Sequence, residues 1–318
     1  MTTIAILGAN GRIGNAAARS FHSAGFIVIA VTRDGIAPGL PAAIERRAAN
    51  ALDQQTLIAA TEGADFIFNG LNCPYPDWHK SAIPMAQNVI AAAKTAKAVH
   101  LFPGNLYNFG KKIPEMASEK TPFIPSTKKG RIRIEMEKLY ETAAKQEGIK
   151  TLILRAGDYF GGSIGGAWFD LVITAKLGKG VFTYPGPTNI AHAWAYLPDF
   201  ANAFVILASN ADKTETFESF NFAGHPLTGE DIQALITNAI GHPLKRAGMP
   251  WSLLRLVSPF NRMVHEICEM SYLWFTPHSL DGRKWKARFE PFPRTGCDKA
   301  ISQALIDLDI EPASRKSA

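Results

Sequence analysis

The feature that most constrains this chain is the glycine-rich turn that follows its first apolar strand. Ile4 to Leu7 form the strand, and the chain then reads Gly8-Ala9-Asn10-Gly11-Arg12-Ile13-Gly14 before an alanine-rich helical segment. Glycine has no Cβ, so the backbone can turn sharply and approach a phosphate closely, while the helix that opens there presents free N–H groups. Because a strand precedes the turn and a helix follows it, the segment predicts a cradle for the pyrophosphate of a dinucleotide cofactor.

The spacing G-x-x-G-x-x-G with Asn10 resembles the short-chain dehydrogenase/reductase superfamily, in its extended and atypical branches. This resemblance implies an α/β fold, a doubly wound parallel sheet (Rossmann) with a smaller, mainly helical substrate lobe. We expect a nucleotide-binding domain over 1–160 and 188–224, and a substrate lobe over 161–187 and 225–318. A chain of 318 residues that is 47% hydrophobic is long enough to bury such a core.

Strand and helix signals alternate through the first half, which predicts right-handed crossovers and a parallel sheet. In such a sheet the ligand crevice lies beyond the carboxyl ends of the strands. The predicted elements after the first strand are strands at 26–32, 65–71, 98–102 and 149–154, with helices at 82–96 and 229–240.

The residues that end the second strand bear on the choice of cofactor. A carboxylate at that point suits the ribose hydroxyls of NAD, whereas the 2′-phosphate of NADP needs a cation. The chain has Thr32 and Arg33 there, and Arg12 of the glycine turn could reach the same phosphate through bidentate hydrogen bonds. We therefore expect NADP(H). The alternative is NAD(H), with Asp34 binding the ribose.

The resemblance implies further cofactor contacts along the chain. Asn50 occupies the family's position for the residue that contacts the adenine, and 69–72 the position of a segment that lies against the cofactor. Ala156 stands beside the expected nicotinamide, where relatives usually carry proline. The predicted cofactor-binding set is Gly8, Asn10, Gly11, Arg12, Ile13, Gly14, Thr32, Arg33, Asn50, Ala51, Leu71, Asn72, Pro103, Lys129 and Ala156.

The helix before the sixth strand usually carries a Tyr-x-x-x-Lys pair in this superfamily. Its spacing places both side chains on one helical face, where the lysine prepares the tyrosine for proton transfer. Here the helix starts near Ser126, and alignment by Gly130 and Glu137 puts Lys129 at the tyrosine position and Arg133 at the lysine position. The usual dyad is absent.

Lys129, Arg133 and Glu137 share one face of this helix. That pattern resembles the isoflavone-reductase-like branch, whose members use such a lysine as general acid/base. Arg133 beside Lys129 would destabilise the ammonium form, which suits that role. The alternative is an ordinary amphipathic helix whose exposed face carries ion pairs.

A literal Tyr-x-x-x-Lys spans Tyr107 to Lys111, but glycine, proline and asparagine predict a loop there. A loop would not bring the two side chains to one face. The extended branch often has a catalytic Ser or Thr in this loop, at the place of Pro103 or Gly104, and Asn105 is the nearest polar substitute. The predicted catalytic set is Lys129, Arg133, Tyr107 and Asn105.

The stretch 251–275 is rich in aromatic and aliphatic residues at helical spacing. Arg255, Arg262, Glu266 and Glu269 exclude a membrane span. A lobe of this composition implies a partly apolar substrate or an apolar pocket wall. We expect core packing for most of the apolar stripe, which comprises Leu253, Leu256, Val257, Phe260, Met263, Val264, Ile267 and Met270.

Charge and cysteine usage limit the partners. The net charge is +6, but acidic residues interleave with the basic ones and no nucleic-acid motif occurs. Cys73, Cys268 and Cys297 lack the spacing of a disulfide framework or a zinc site. The first strand begins too near Met1 for a secretory signal. We expect a cytoplasmic monomer or homodimer that takes a small-molecule substrate, with no metal, nucleic-acid or membrane partner.

Together these features predict an NAD(P)H-dependent oxidoreductase with an atypical active site, which reduces a carbonyl or activated double bond in a small, partly apolar molecule. One alternative is a non-catalytic NADP(H)-binding redox sensor, as in regulator-like members of the branch. A second alternative is a sugar-nucleotide epimerase or dehydratase, which the missing tyrosine dyad disfavours.

Overall fold

The computed structural model describes residues 1–289 and 291–310. The strands are β1 (Thr3–Leu7), β2 (Ile27–Thr32), β3 (Glu45–Ala48), β4 (Phe66–Asn69), β5 (Val99–Gly104), β6 (Met116–Ala117), β7 (Thr151–Arg155), β8 (Asp158–Phe160), β9 (Val181–Tyr184), β10 (Ala191–Tyr196), β11 (Phe217–Asn221), β12 (His225–Thr228), β13 (Lys245–Gly248) and β14 (Ser279–Leu280).

The helices alternate with these strands in the first half of the chain and predominate near its end. They are α1 (Arg12–Ser23), α2 (Gln54–Ala60), α3 (Trp78–Ala96), α4 (Lys128–Glu147), α5 (Leu197–Ser209), α6 (Gly229–Ile240), α7 (Trp251–Val257), α8 (Arg262–Met270), α9 (Arg283–Phe289) and α10 (Cys297–Ile306).

Seven strands form one parallel sheet in the order β11-β7-β5-β4-β1-β2-β3. Helices cover both faces, since α1 and α5 pack together on one face and α2, α3 and α4 form the layer on the other. Alternate residues of β1 enter the two layers: Ile4 and Ile6 join one apolar cluster, Ala5 and Leu7 the other. The predicted doubly wound α/β fold is confirmed.

Several predicted elements differ in their ends from the observed ones. The fourth strand is shorter than 65–71, and β5 continues to Gly104. Helix α3 begins at Trp78 rather than at residue 82, because a 3-10 turn at Tyr75–Asp77 leads directly into it and the buried Trp78 anchors its first turn. Strand β3 was not predicted, since its sequence Glu-Arg-Arg-Ala has the charged character of an edge strand.

Two small sheets, β12-β10-β8 and β13-β9, lie outside the main sheet, and α6, α7, α8 and α10 contribute to a second apolar cluster. In the predicted lobe range 225–318, Trp285 and Phe289 of α9 pack against Phe220 of the main sheet. Residues 290 and 311–318 of that range lie outside the described residues. The predicted boundaries themselves remain a prediction.

The core packing predicted for the apolar stripe 253–270 is wrong for its first half. Met270 is buried and Ile267 is partly buried, but Leu256 is 71% exposed and Phe260 is 90% exposed. The reason is that α7 ends at Val257 and the chain turns into α8. Trp251 and Leu254 lie on the inward side of α7, and the stripe residues of this helix lie on its outward side. Across the described residues, no helix combines the length and apolar character needed to cross a bilayer.

Candidate functional site

The glycine turn has the geometry of a phosphate cradle. Gly8 lies at φ +72°, and Gly11 N–H donates to the Gly8 carbonyl at 2.9 Å. A Cβ on Gly14 would lie 2.2 Å from the Gly8 carbonyl oxygen, and a Cβ on Gly8 would lie 2.8 Å from that of Gly70. The backbone can close in this way only if both positions are glycine.

Helix α1 opens at this turn without a side-chain cap, because Gly11 is its N-cap residue. Its first N–H groups therefore have no side-chain acceptor within the helix, and its first turn carries no acidic residue. Asn10 and Gly11 are exposed at the rim, while Ile13 is partly buried. These residues fit the pyrophosphate of a dinucleotide, which such a helix end binds.

At the end of β2, the structure differs from the sequence-based prediction in the position of the Arg12 side chain. Thr32 is buried and donates to the Asp34 carboxylate at 3.1 Å, and the Ile36 N–H also donates to it, which lowers the pKa of Asp34. Arg33 is exposed, and no carboxylate among residues 1–289 and 291–310 pairs with it. Arg12 points elsewhere.

Arg12 is engaged by the loop after β8. One guanidinium nitrogen contacts the Asp170 carboxylate, and another donates to the Gly161 carbonyl at 2.8 Å. The prediction that Arg12 joins Arg33 at a 2′-phosphate therefore requires this ion pair to open. Sequence patterns could not reveal it, since Arg12 and Asp170 are 158 positions apart.

The other predicted cofactor residues lie near the carboxyl ends of the strands. Pro103 is in β5, and Ala156, directly after β7, donates to the Gly104 carbonyl at 3.2 Å. Asn50 and Ala51 follow β3. The Ala51 carbonyl accepts from Asn88, the Leu71 N–H donates to the Asn69 side chain, and the Asn72 side chain accepts from Trp78.

Lys129 occupies the first turn of α4 and is only 1% exposed. Its ammonium contacts the carboxylates of Glu266 and Glu269 of α8, the second at 2.7 Å. It also lies 4.8 Å from the centroid of the Tyr75 ring. The alternative of an exposed helical face is therefore wrong at this position. The sequence analysis used the two carboxylates only to exclude a membrane span, and nothing local linked them to Lys129.

Arg133 and Glu137 have separate environments. The Arg133 guanidinium lies 5.0 Å from the Trp78 ring and 5.1 Å from the Phe102 ring, and its buried Nε has no hydrogen-bond partner in the described part of the chain. Glu137 is buried and pairs with Arg155 at 2.8 Å. Arg133 is thus a cation held by aromatic rings, with nitrogen atoms available to a ligand.

Tyr107 begins a 3-10 stretch, Tyr107–Lys112, rather than a loop without regular structure. Its hydroxyl lies 2.9 Å from the hydroxyl of Tyr75, and burial raises the pKa of Tyr107 well above its ordinary value. Both hydroxyls hold their protons at neutral pH. Lys111 is exposed, so the two ends of the Tyr-x-x-x-Lys segment do not meet. The Asn105 side chain accepts from the Tyr107 N–H at 3.0 Å and stabilises this turn.

Asp158, in β8, is a site residue that the sequence analysis missed. It is partly open to the crevice but lies deep among packed atoms, and this burial raises its pKa to about 7. Its charge further raises the pKa of both Tyr75 and Tyr107, which places it within electrostatic reach of the hydroxyl pair. No hydrogen bond or ion pair from the described residues engages its carboxylate. Such a group can accept and return a proton near neutral pH.

The site therefore places the glycine turn and a group of ionisable side chains at the same edge of the sheet. Tyr107, Tyr75 and Asp158 are brought together, while Lys129 is held by α8. Within the ranges that the structure describes, no group of three or more His, Cys, Asp or Glu side chains is placed to hold a metal ion.

Comparisons with known proteins agree with this architecture. The sequence model of the NAD dependent epimerase/dehydratase family matches residues 4–223. Among solved structures, UDP-glucose 4-epimerase from Brucella ovis in complex with NAD is 15% identical, with a TM-score of 0.76 over 98% of this chain and 100% of that chain. UDP-glucose 4-epimerase with UDP-glucose from Thermotoga maritima is 15% identical, with a TM-score of 0.77 over 99% of each chain.

UDP-N-acetylglucosamine 4-epimerase from Bacillus cereus is 16% identical, with a TM-score of 0.73 over 96% of each chain. At such identities the likeness to these structures shows the fold alone. A search of curated proteins found no match.

Proposed function

Because the chain belongs to the NAD dependent epimerase/dehydratase family, we propose that it is an enzyme that moves a hydride between NAD and a hydroxyl-bearing carbon of a sugar nucleotide. From the sequence alone a reductase is expected, and this function is only the second alternative, since the tyrosine dyad is missing. The partly buried Tyr107 hydroxyl, paired with Tyr75 at 2.9 Å and within electrostatic reach of Asp158, is the observation that carries the proposal, because it offers a proton-transfer group where the dyad is absent.

NAD is the cofactor that we propose over NADP. Binding of NADP was expected because Arg12 and Arg33 could both reach its 2′-phosphate, but Arg12 is already paired with Asp170. Asp34 lies next to Arg33 at the end of β2 and can accept hydrogen bonds from ribose hydroxyls, whereas its charge would repel a 2′-phosphate. The epimerase from Brucella ovis, similar in fold, is in complex with NAD.

The residues around the crevice then have distinct roles. A bound NAD supplies a reversible hydride acceptor. Asp158 takes the proton of the reacting hydroxyl, and Tyr107 donates a hydrogen bond to the same oxygen. Arg133 donates to phosphate or hydroxyl oxygens of the bound ligands, because the aromatic rings around its guanidinium do not accept its in-plane N–H groups. Lys129 positions α8 rather than transferring a proton.

The test is turnover with NAD and a panel of UDP-sugars, followed by chromatography of the sugar nucleotides. Tyr107→Phe should keep NADH affinity and lower turnover by ~10²-fold or more, the usual contribution of a positioned acid/base group. Lys111→Met is the matched control, since this exposed lysine ends the same segment. Full turnover by Tyr107→Phe would contradict the assigned role.

A redox sensor is the second candidate function, and one observation favours it. The residue at the family's tyrosine position, Lys129, is buried and held by two carboxylates, so it is not a free acid/base group. A sensor would bind the dinucleotide tightly, turn over no member of the panel, and change its melting temperature or partner binding with the redox state of the cofactor.

A further inference from the structure

The α7–α8 hairpin carries an apolar surface that no part of the described chain covers. Leu253 is 58% exposed, Leu256 71% and Phe260 90%, and Val257 and Met263 are also exposed. Leu253, Leu256 and Val257 stand at positions i, i+3 and i+4 of α7, which places them on one side of that helix, and Phe260 follows in the turn to α8. Contiguous exposed apolar surface of this kind marks an interaction site.

The inner side of the hairpin is firmly anchored. Trp251 is buried and donates from its indole nitrogen to the Pro185 carbonyl, while Leu254 and Ile267 pack against the apolar cluster of the lobe. Asn261 caps α8 by accepting from the Val264 N–H at 3.1 Å. Arg262 donates to the Pro76 carbonyl at 3.2 Å, which links the hairpin to the turn before α3. The exposed residues are therefore held outward by a fixed scaffold.

Cations predominate in the sequence that leads into the hairpin, where Arg246 pairs with Glu230 at 3.4 Å. From Ile232 to His265 the chain contains no Asp or Glu, and its charged residues there are Lys245, Arg246, Arg255 and Arg262. The carboxylates that follow, Glu266 and Glu269, contact Lys129 on the inner side of α8. The outer side thus combines large apolar side chains with cations.

We propose that the α7–α8 hairpin docks on an anionic membrane surface. Leu256 and Phe260 would enter the boundary between headgroups and acyl chains, and the exposed Arg255 would meet lipid phosphates. A second copy of the chain fits less well, because a two-fold contact would bring the same cations together. The sequence-based expectation of no membrane partner considered only spanning segments, and a docked hairpin spans nothing.

Co-sedimentation with vesicles tests this proposal. We expect the protein to bind vesicles of phosphatidylcholine with phosphatidylglycerol, to bind less in high salt, and to bind phosphatidylcholine alone weakly. Leu256→Ser with Phe260→Ser should lower the partition coefficient at least about tenfold, and Arg255→Gln about fivefold. Met116→Ser replaces another exposed apolar residue, on β6, and should leave binding unchanged. Melting temperatures establish that each variant is folded.

Absence of binding, equal binding to both vesicle types, or unchanged binding by the double serine variant would overturn the proposal. If the same variant instead dissolves a dimer in sedimentation equilibrium and the wild type ignores vesicles, the surface is a contact between copies and the proposal is also overturned. Vesicle binding requires no turnover, so its outcome is independent of the proposed enzymatic function.

Discussion

At the scale of single residues, the partly exposed Asp158 gives the crevice a group that can change its charge near neutral pH. Desolvation raises its pKa to about 7, from the ordinary 3.8, while the tyrosines beside it stay protonated. One group can therefore exchange a proton while the hydroxyl pair remains a hydrogen-bond donor. This division of roles could not be predicted from sequence, since it depends on how deeply Asp158 lies in the folded chain.

Oxidation of the substrate hydroxyl should increase as the pH rises through about 7, because the Asp158 carboxylate must be unprotonated to accept the proton. A pH profile of kcat/KM in that direction checks this. Asp158→Asn should abolish the inflection together with most of the turnover. If the pH profile of the variant kept the inflection, the inflection would belong to another group.

The same group has a predictable effect on stability. The pKa of Asp158 is higher in the folded than in the unfolded chain, so the folded state binds more protons between about pH 4 and pH 7. Its contribution to the free energy of unfolding therefore decreases as the pH rises through that window. Asp158→Asn removes this contribution. In urea titrations, the free energy of unfolding of the wild type minus that of the variant should therefore decrease as the pH rises. A flat difference would contradict the buried carboxylate.

Gly14 is the residue on which the cradle depends most directly. In Gly14→Ala the new Cβ would meet the Gly8 carbonyl at 2.2 Å, so the turn has to open. We expect NADH affinity to fall by at least about tenfold, since the N–H groups would no longer converge on the pyrophosphate. Gly178→Ala, where a Cβ would meet nothing within 4 Å, is the control. Equal NADH titrations for both variants would rule out this cradle.

At the scale of elements, the contact between α4 and α8 is the part of the site that sequence reasoning could not anticipate. The apolar strands β1 and β2 and the glycine turn carry their signals locally, and α6 was predicted with its observed ends. Lys129 and Glu269, by contrast, are 140 positions apart, and neither neighbourhood hints at the other. The parallel sheet and the edge at which the site lies follow from local patterns, whereas charge partners follow only from packing.

Glu266→Gln with Glu269→Gln should leave the buried Lys129 ammonium without a counter-charge. We expect the free energy of unfolding to fall by about 3–5 kcal/mol, as when a buried pair loses one partner. The exposed Lys145–Glu141 pair provides the control, since Glu141→Gln should cost less than about 1 kcal/mol. Urea denaturation measures the free energy of unfolding of both variants. Similar decreases would show that the Lys129 cluster stabilises the fold no more than the exposed pair does.

At the scale of the whole molecule, three buried histidines make the fold sensitive to acid. Burial lowers the pKa of His100 and His192 to about 3 and that of His278 to about 4, against an ordinary 6.5. The unfolded chain therefore binds more protons below pH 6.5, so stability is lost as the pH falls. His100→Gln should weaken this loss in urea titrations, and His79→Gln, at an exposed position, should not. Equal acid sensitivity of the two variants would contradict the buried-histidine account.

The central claim is that the crevice performs hydride chemistry without the usual tyrosine dyad. The most direct measurement mixes the protein and NAD with a panel of UDP-sugars and records the absorbance of reduced nicotinamide together with the sugar-nucleotide products. The account predicts transient reduction or product formation with at least one sugar, and its loss in Tyr107→Phe and Asp158→Asn. Tight NAD binding with no reduction and no product across the panel would contradict it and favour the sensor.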